Sequence, residues 1–456
     1  MTEEDLLAEA DRRAASYLRD AARRRPFPDA RALAGLALFD EPLPSKGRGG
    51  ADTLALFDGA GSPATVASNG PRYFGFVLGA SLPAASAIDR MVLAWDQCAS
   101  SHDTSPVSAA VEKVAAHWIL EILDLPRESG VGFGTSATTG TITCLSAARR
   151  TLLARAGWDF DRDGLAGSPG IRIALSATAH ISVRKAVRLL GFGNARVIEI
   201  PTDDGGRVDP ARLPALDDRT IVCLQAGEVN TGAFDPFEAV IPVAKAAGAW
   251  VHVDGAFGLW ARASNRRALT AGIDAADSWT TDGHKWLNTP YDCAVAICRD
   301  RDAMAQAMNS DAAYFSAAAD SQKNMTMEFS RRPRGVSIWA ALRSLGRDGV
   351  AALIERHCDY AAYLGRRLLE EGFDVVNSVC INQVLVRCAD DVETLAVREA
   401  VLDSGRTWFS PTSWQGRPAF RLSISSWRTE MADIEMLIEA LIDARQSVMT
   451  AAKTMS

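Results

Sequence analysis

The chain is notable first for what is missing. It has eight cysteines, at 98, 144, 223, 293, 298, 358, 380 and 388, but no Cys-x-x-Cys pair. A disulfide scaffold or a zinc site is therefore not expected. Several of these thiols sit in apolar runs such as "IVCLQ" and "CAVAIC", where a reduced cysteine packs as a small hydrophobe. Basic character is also scarce. The formal net charge is −7 over 456 residues, which argues against a nucleic-acid partner. The arginine clusters, Arg149-Arg150 and "SRRPR" (Arg331, Arg332, Arg334), are short and suit helix ends or anion contacts within one site. No apolar run approaches the length of a membrane span, and the N-terminal "MTEEDLLAEADRRAASYLRDAARRR" is charged and helical in pattern, unlike a signal peptide. A cytoplasmic protein without membrane contact is expected. There is no internal repeat and no low-complexity tract beyond short Ala-rich runs.

What remains is a globular composition, 48% hydrophobic and 23% charged, in a chain long enough for two or three structural units. Residues 1–105 read as a helical and loop-rich segment that needs another surface, such as a second subunit, to pack on. Residues 106–345 form the main domain. Within it, short β-rich runs at 171–176, 195–200, 220–225, 250–254, 278–281 and 293–298 alternate with helical stretches opening near Thr138, Ile181 and Pro236. Strands apolar on both faces and separated by helices predict an α/β fold with a mostly parallel sheet flanked by helices. Residues 346–456 read as a small C-terminal α/β domain. In such sheets, functional groups gather beyond the carboxyl ends of the strands.

Four features fall at that edge. Asp254 closes "WVHVD" and is followed by "GAFG". An acid there can cap a helix; it can also hydrogen-bond a pyridinium nitrogen. "SWTTDGHK" then brings Lys285 to the end of a neighbouring strand, where an amine can form a Schiff base. "GFGTSATTGTITCLSAARR" opens an apolar helix with small and hydroxylated residues, suited to an anion at a helix N-terminus, though an ordinary cap looks the same. "LSATAHISVRKA" places His180 between a strand and a helix, as a cap or as a ring to stack on a flat cofactor. Together they meet the needs of pyridoxal 5'-phosphate.

The sequence resembles the pyridoxal-phosphate-dependent group II amino-acid decarboxylases (aromatic-L-amino-acid and glutamate decarboxylase-like), of fold type I, the aspartate aminotransferase fold. The likeness runs over nearly the whole chain, through "RYFGFVLGAS", "LQAGEVNTGAFDPF", "WVHVDGAFGLWA", "DSWTTDGHKWLNTPYDCAVAI", "SRRPRGVSIWAALRSLGRDGV" and "GRPAFRLSISSWRT". It implies that Lys285 carries the cofactor, Asp254 pairs the pyridine nitrogen and His180 stacks on the ring, with Ala256 on the opposite face. Ala137 and Thr138 would bind the phosphate, with His284 and Asp282 nearby. Tyr73, Phe74 and Arg421 would face the substrate, and the family forms homodimers with the site at the interface; His102, in "SSHDTSP", can hydrogen-bond a polar substrate or be an ordinary loop residue. The resemblance implies a carboxy-lyase releasing carbon dioxide from an L-amino acid, with an aromatic side chain suiting Tyr73, Phe74, Trp408 or Trp414.

Three departures from the family pattern bear on the chemistry. The phosphate loop reads Ser-Ala-Thr-Thr-Gly-Thr, where relatives often carry a Glu-Ala pair. Glu228 stands where a small, hydroxyl or amide residue is usual; it either alters charge selectivity near the substrate or points to solvent. Family members use a tyrosine on a mobile loop to protonate the carbanion left by carbon dioxide, but residues 315–330 contain none, and Tyr314 lies just upstream. His180, Lys285 or a partner's residue can take that task. The alternatives are oxidative decarboxylation to an aldehyde, aldol cleavage of a β-hydroxy amino acid, or a catalytically silent binding protein.

Overall fold

The computed structural model describes residues 2–309 and 321–455. The chain divides into two compact units. One comprises Met1–Ala80, Leu364–Val375 and Leu385–Ser456; the other comprises Ser81–Tyr363 and Val376–Val384.

The larger unit is built on seven strands: β1 (Gly130–Gly134), β2 (Arg172–Ser176), β3 (Val197–Ile200), β4 (Thr220–Gln225), β5 (Trp250–Asp254), β6 (Ser278–Asp282) and β7 (Ala294–Cys298). Their order is β1-β7-β6-β5-β4-β2-β3. β3, β2, β4, β5 and β6 are mutually parallel, while β7 runs antiparallel to both β6 and β1. Every residue of β4, β5, β6 and β7 is buried, as the continuous apolar runs require of a sheet covered on both faces. The core of this unit joins Leu145, Leu152 and Leu153 of helix Ala137–Arg155 to Val183 and Val187 of helix Ile181–Leu189 and to Ile173, Leu175 and Ile221 of the sheet.

Sequence patterning did not mark β1 as a strand, because three of its five residues are glycine and glycine is depleted in strands. The packing explains the composition. A Cβ at Gly132 would lie 1.7 Å from the Met325 carbonyl oxygen, so only glycine fits there.

The smaller unit contains helix Glu3–Asp20, which opens with a capping box between Thr2 and Asp5, and helices Asp391–Ser404 and Met431–Met455. It holds most of a four-stranded sheet of β8 (Asp374–Val375), β9 (Gln383–Arg387), β10 (Ser410–Trp414) and β11 (Arg417–Ser423), in the order β10-β11-β9-β8. No helix among the described residues is long and apolar enough to cross a membrane.

The arginine clusters find internal partners. Arg331 is buried and makes a two-pronged ion pair with buried Glu112 (2.9 and 2.7 Å), which also accepts from the Gly335 N–H. Arg332 pairs with Asp89, Arg334 with Asp292 and Arg150 with Asp161.

Candidate active site

The parallel register sets the carboxyl ends of β4, β5 and β6 side by side, with Gln225 opposite Asp254 and Asp254 opposite Thr280. Asp254 therefore ends β5 one strand away from Asp282, which ends β6. Asp254 is buried, and one of its oxygens accepts the Ala256 N–H (3.1 Å). Burial raises its pKa above the usual carboxylate range, opposed by the charges of His180 and Lys285, which bear on it directly. Ala256 ties the two strand ends together: its carbonyl accepts the Asp282 N–H (2.8 Å).

Lys285 follows β6 by three residues, across a turn held by Gly283 N–H to the Cys293 carbonyl (2.9 Å) and Thr289 N–H to the Gly283 carbonyl (3.1 Å). Its Nζ lies 2.9 Å from Asp282 Oδ2. Asp282 is 2% exposed, and its other oxygen is buried without a hydrogen-bond partner among the described residues. His284 is buried, and its Nδ1 accepts the Cys293 N–H (3.1 Å), which leaves the ring hydrogen on Nε2, 3.8 Å from Asp282 Oδ2. Burial lowers the His284 pKa, so the ring is neutral. Trp286 is fully buried and its indole N–H donates to His357 Nδ1 (3.0 Å), an anchor for the lysine turn that the sequence did not disclose.

His180 is the N-cap of helix Ile181–Leu189. Its Nδ1 accepts the Ser182 N–H (3.3 Å) and lies 2.7 Å from Ser182 Oγ. The helix Ala137–Arg155 opens with a capping box: Thr139 Oγ1 accepts from Ser136 N–H and Ser136 Oγ from Thr139 N–H. The hydroxyls of Ser136 and Thr139 are thus occupied by the cap, while Ala137 and Thr138 occupy the first turn, whose N–H groups have no acceptor within the helix. Phosphate can accept from them.

These residues fit pyridoxal phosphate on two observations. A pyridinium N–H would give buried Asp254 a hydrogen-bonded counter-charge, and the second oxygen of Asp282, buried without a partner among the described residues, marks a polar site that these residues do not satisfy.

His102 is exposed beside Asp103 and lines a cavity of about 1020 Å³ with Lys113, His117 and Arg127; Lys285, Asp254, Asp282 and His180 are not part of that lining. In the smaller unit, Tyr73 and Phe74 are buried. Tyr73 stacks on Trp408 (4.8 Å between centroids, 4° between planes), and Phe74 exchanges backbone hydrogen bonds with Trp408 and Ser423. Arg421 is buried on β11, and its charge bears on the Tyr73 phenol, whose pKa burial raises. The exposed ring of that stretch is Phe76, missed by sequence reasoning: it is 50% exposed, its backbone is left-handed (φ 54°), and its N–H donates to Ser410 Oγ (2.9 Å). Glu228 does not point to solvent. It is 1% exposed, and one carboxylate oxygen accepts the Asn230 and Thr231 N–H groups (2.7 Å each) and lies 3.1 Å from Thr231 Oγ1. Tyr314 and residues 315–320 lie outside the described residues.

Comparison with known proteins supplies the family. Residues 65–388 match the pyridoxal-dependent decarboxylase conserved domain. L-2,4-diaminobutyrate decarboxylase of Rhizobium meliloti is 28% identical over 443 residues, covering 92% of this chain and 86% of the relative. Phenylacetaldehyde synthase of Arabidopsis thaliana is 26% identical over 360 residues, 72% of each chain. In fold, the crystal structure of Oryza sativa TDC with PLP and tryptamine superposes with a TM-score of 0.90 at 23% identity, covering 98% of both chains. The chain thus belongs to the pyridoxal-dependent decarboxylase family: it is an α/β enzyme of fold type I that takes pyridoxal phosphate as cofactor and acts as an amino-acid carboxy-lyase.

Proposed function

We propose that Lys285 is the amine that carries the cofactor, that Asp254 pairs the pyridine nitrogen, and that the enzyme releases carbon dioxide from the α-carbon of an L-amino acid with an aromatic side chain. The observation that carries this reading is the placement of one lysine and two buried carboxylates at the ends of adjacent parallel strands, with Nζ 2.9 Å from Asp282. Pyridoxal phosphate, when bound, supplies the electron sink for the bond that breaks.

The chain's own residues do the rest. Asp254, buried at the sheet edge, fixes the charge of the nitrogen opposite it. His180, its ring oriented by Ser182, covers one face, and Ala256 packs on the other. The N–H groups of Ala137 and Thr138 hold the phosphate, with neutral His284 beside it. Tyr73 and Phe74 are the groups proposed to face an aromatic substrate side chain, with Phe76 half-exposed in the same segment. Arg421 and His102 are the groups proposed to meet the substrate's polar ends.

We further propose a homodimer in the cytoplasm. Its support is the exposure of Leu38 (62%), Leu43 (95%) and Phe57 (68%) in the N-terminal segment, and eight cysteines that are all free. Sedimentation at the mass of a single chain would count against the dimer.

A second reading is oxidative decarboxylation. It is favoured by the lack of tyrosine in residues 321–330 and by the likeness to an aldehyde synthase. Product analysis of the reconstituted enzyme on a panel of aromatic, acidic and diamino acids separates the two. Amine and carbon dioxide in equal amounts are expected. Aldehyde, ammonia and peroxide, formed with uptake of oxygen and water, would overturn simple decarboxylation in favour of the second reading.

A further inference from the structure

Asp282 was grouped by resemblance with the cofactor contacts, next to the phosphate. Its surroundings point to another task. A carboxylate beside a phosphate is repelled by it, and that repulsion is least screened where both groups are buried. Asp282 is 2% exposed, and one of its oxygens lies 2.9 Å from Lys285 Nζ and 3.8 Å from the Nε2 of neutral His284, while buried Asp254 bears on it from the neighbouring strand end. The backbone leaves the pair little freedom. Asp282 N–H is held by the Ala256 carbonyl (2.8 Å), and the Lys285 carbonyl accepts the Asn288 N–H (3.3 Å), so the two side chains meet across a turn pinned on both sides. The second Asp282 oxygen is buried and has no hydrogen-bond partner among the described residues.

We infer that Asp282 is a positioning residue for Lys285: it holds the amine at the strand edge whenever that amine is not bonded to the cofactor. The two carboxylates then divide the work. Asp254 serves the cofactor ring, and Asp282 serves the lysine, keeping it where it can re-engage after each turnover. This rests on the reading of Lys285 as the cofactor-bearing lysine.

The test uses the full-length protein in two forms. In cofactor-free protein, acylation of Lys285 by acetic anhydride at neutral pH is followed by peptide mass spectrometry. An amine released from the carboxylate that holds it is freer to reach the reagent, so Asp282→Asn should label faster than wild type, by about tenfold for the loss of one charge-assisted hydrogen bond. Asp282→Glu, which keeps the charge, should return labelling towards the wild-type rate, and matched thermal melts show that each variant is folded. Equal labelling in wild type and Asp282→Asn overturns the role of Asp282. In the holoprotein, borohydride reduction followed by peptide mapping reports which lysine carries the cofactor. Recovery on a peptide without Lys285 overturns the underlying reading, whereas cofactor on Lys285 with unchanged labelling overturns Asp282 alone.

Discussion

The strand ends of the larger unit and the aromatic segment of the smaller unit are both buried, yet they are finished to different degrees. At the strand ends Asp282 keeps an oxygen without a partner among the described residues, and burial raises the pKa of Asp254 against the opposing charges of His180 and Lys285. In the aromatic segment, Tyr73 is stacked on Trp408 and both backbone groups of Phe74 are hydrogen-bonded to that unit's own chain. The backbone of the aromatic segment is met within its own unit. A region with buried polar groups left over is prepared for something the protein alone does not contain.

The largest effect should come from the unfinished region. Lys285→Ala removes the proposed attachment point, and decarboxylation should fall at least ~10³-fold, with loss of the visible band of lysine-bound cofactor and little change in melting temperature. Retention of the band would break the contrast, because the strand-end cluster would then be only another packed polar core. The aromatic segment should behave in the opposite way. A Cβ at Gly75 would lie 1.9 Å from Trp408 Cζ3, so Gly75→Ala must displace the ring on which Tyr73 stacks. A loss of about 2–3 kcal/mol in urea unfolding is expected, with borohydride trapping of cofactor on Lys285 intact. Loss of trapping at unchanged stability would show that the aromatic segment is part of the chemistry after all.

The same contrast explains what could be read in the sequence. Asp254, His284 and Lys285 stood out because each lies within three residues of a strand end, and strand ends are marked by local apolar runs. β4 and β5 were legible to the residue for the same reason. Phe76 was not, because its exposure depends on Ser410 and on a left-handed backbone that no pattern of neighbours announces. Trp286 and His357 meet only because the chain returns 71 residues later. β1 was hidden by its three glycines, of which Met325 demands Gly132. Glu228 looked like a charge offered to a ligand or to water; it is a staple for its own loop, a role visible only once Asn230 and Thr231 turn back upon it.

The finest cut at the comparison is on β5 itself, where His252 and Asp254 share a strand but not a role. His252 is fully buried, with Nδ1 3.0 Å from Ser278 Oγ, and burial pushes its pKa down to about 3. Unfolded, the ring takes a proton below about pH 6.5, but folded it refuses one, so this group withdraws stability as pH falls through that window. Asp235 works in the other direction. It is buried between the Val208 and Gln225 N–H groups, and its carboxyl is pushed up to about 7. The folded state therefore holds a proton that the unfolded chain gives up above about pH 4, and stability falls as pH rises from there towards 7. Between about pH 4 and 6.5 the two slopes oppose each other. His252→Gln removes one of them, so its stability relative to wild type should improve on acidification by about 1.4 kcal/mol per pH unit across that range. Urea titrations of both proteins at pH 4.5, 5.5 and 6.5 measure that difference. Parallel curves would mean that His252 takes up its proton while folded, which would add it to the unfinished polar groups at the strand end instead of to the scaffold beneath them.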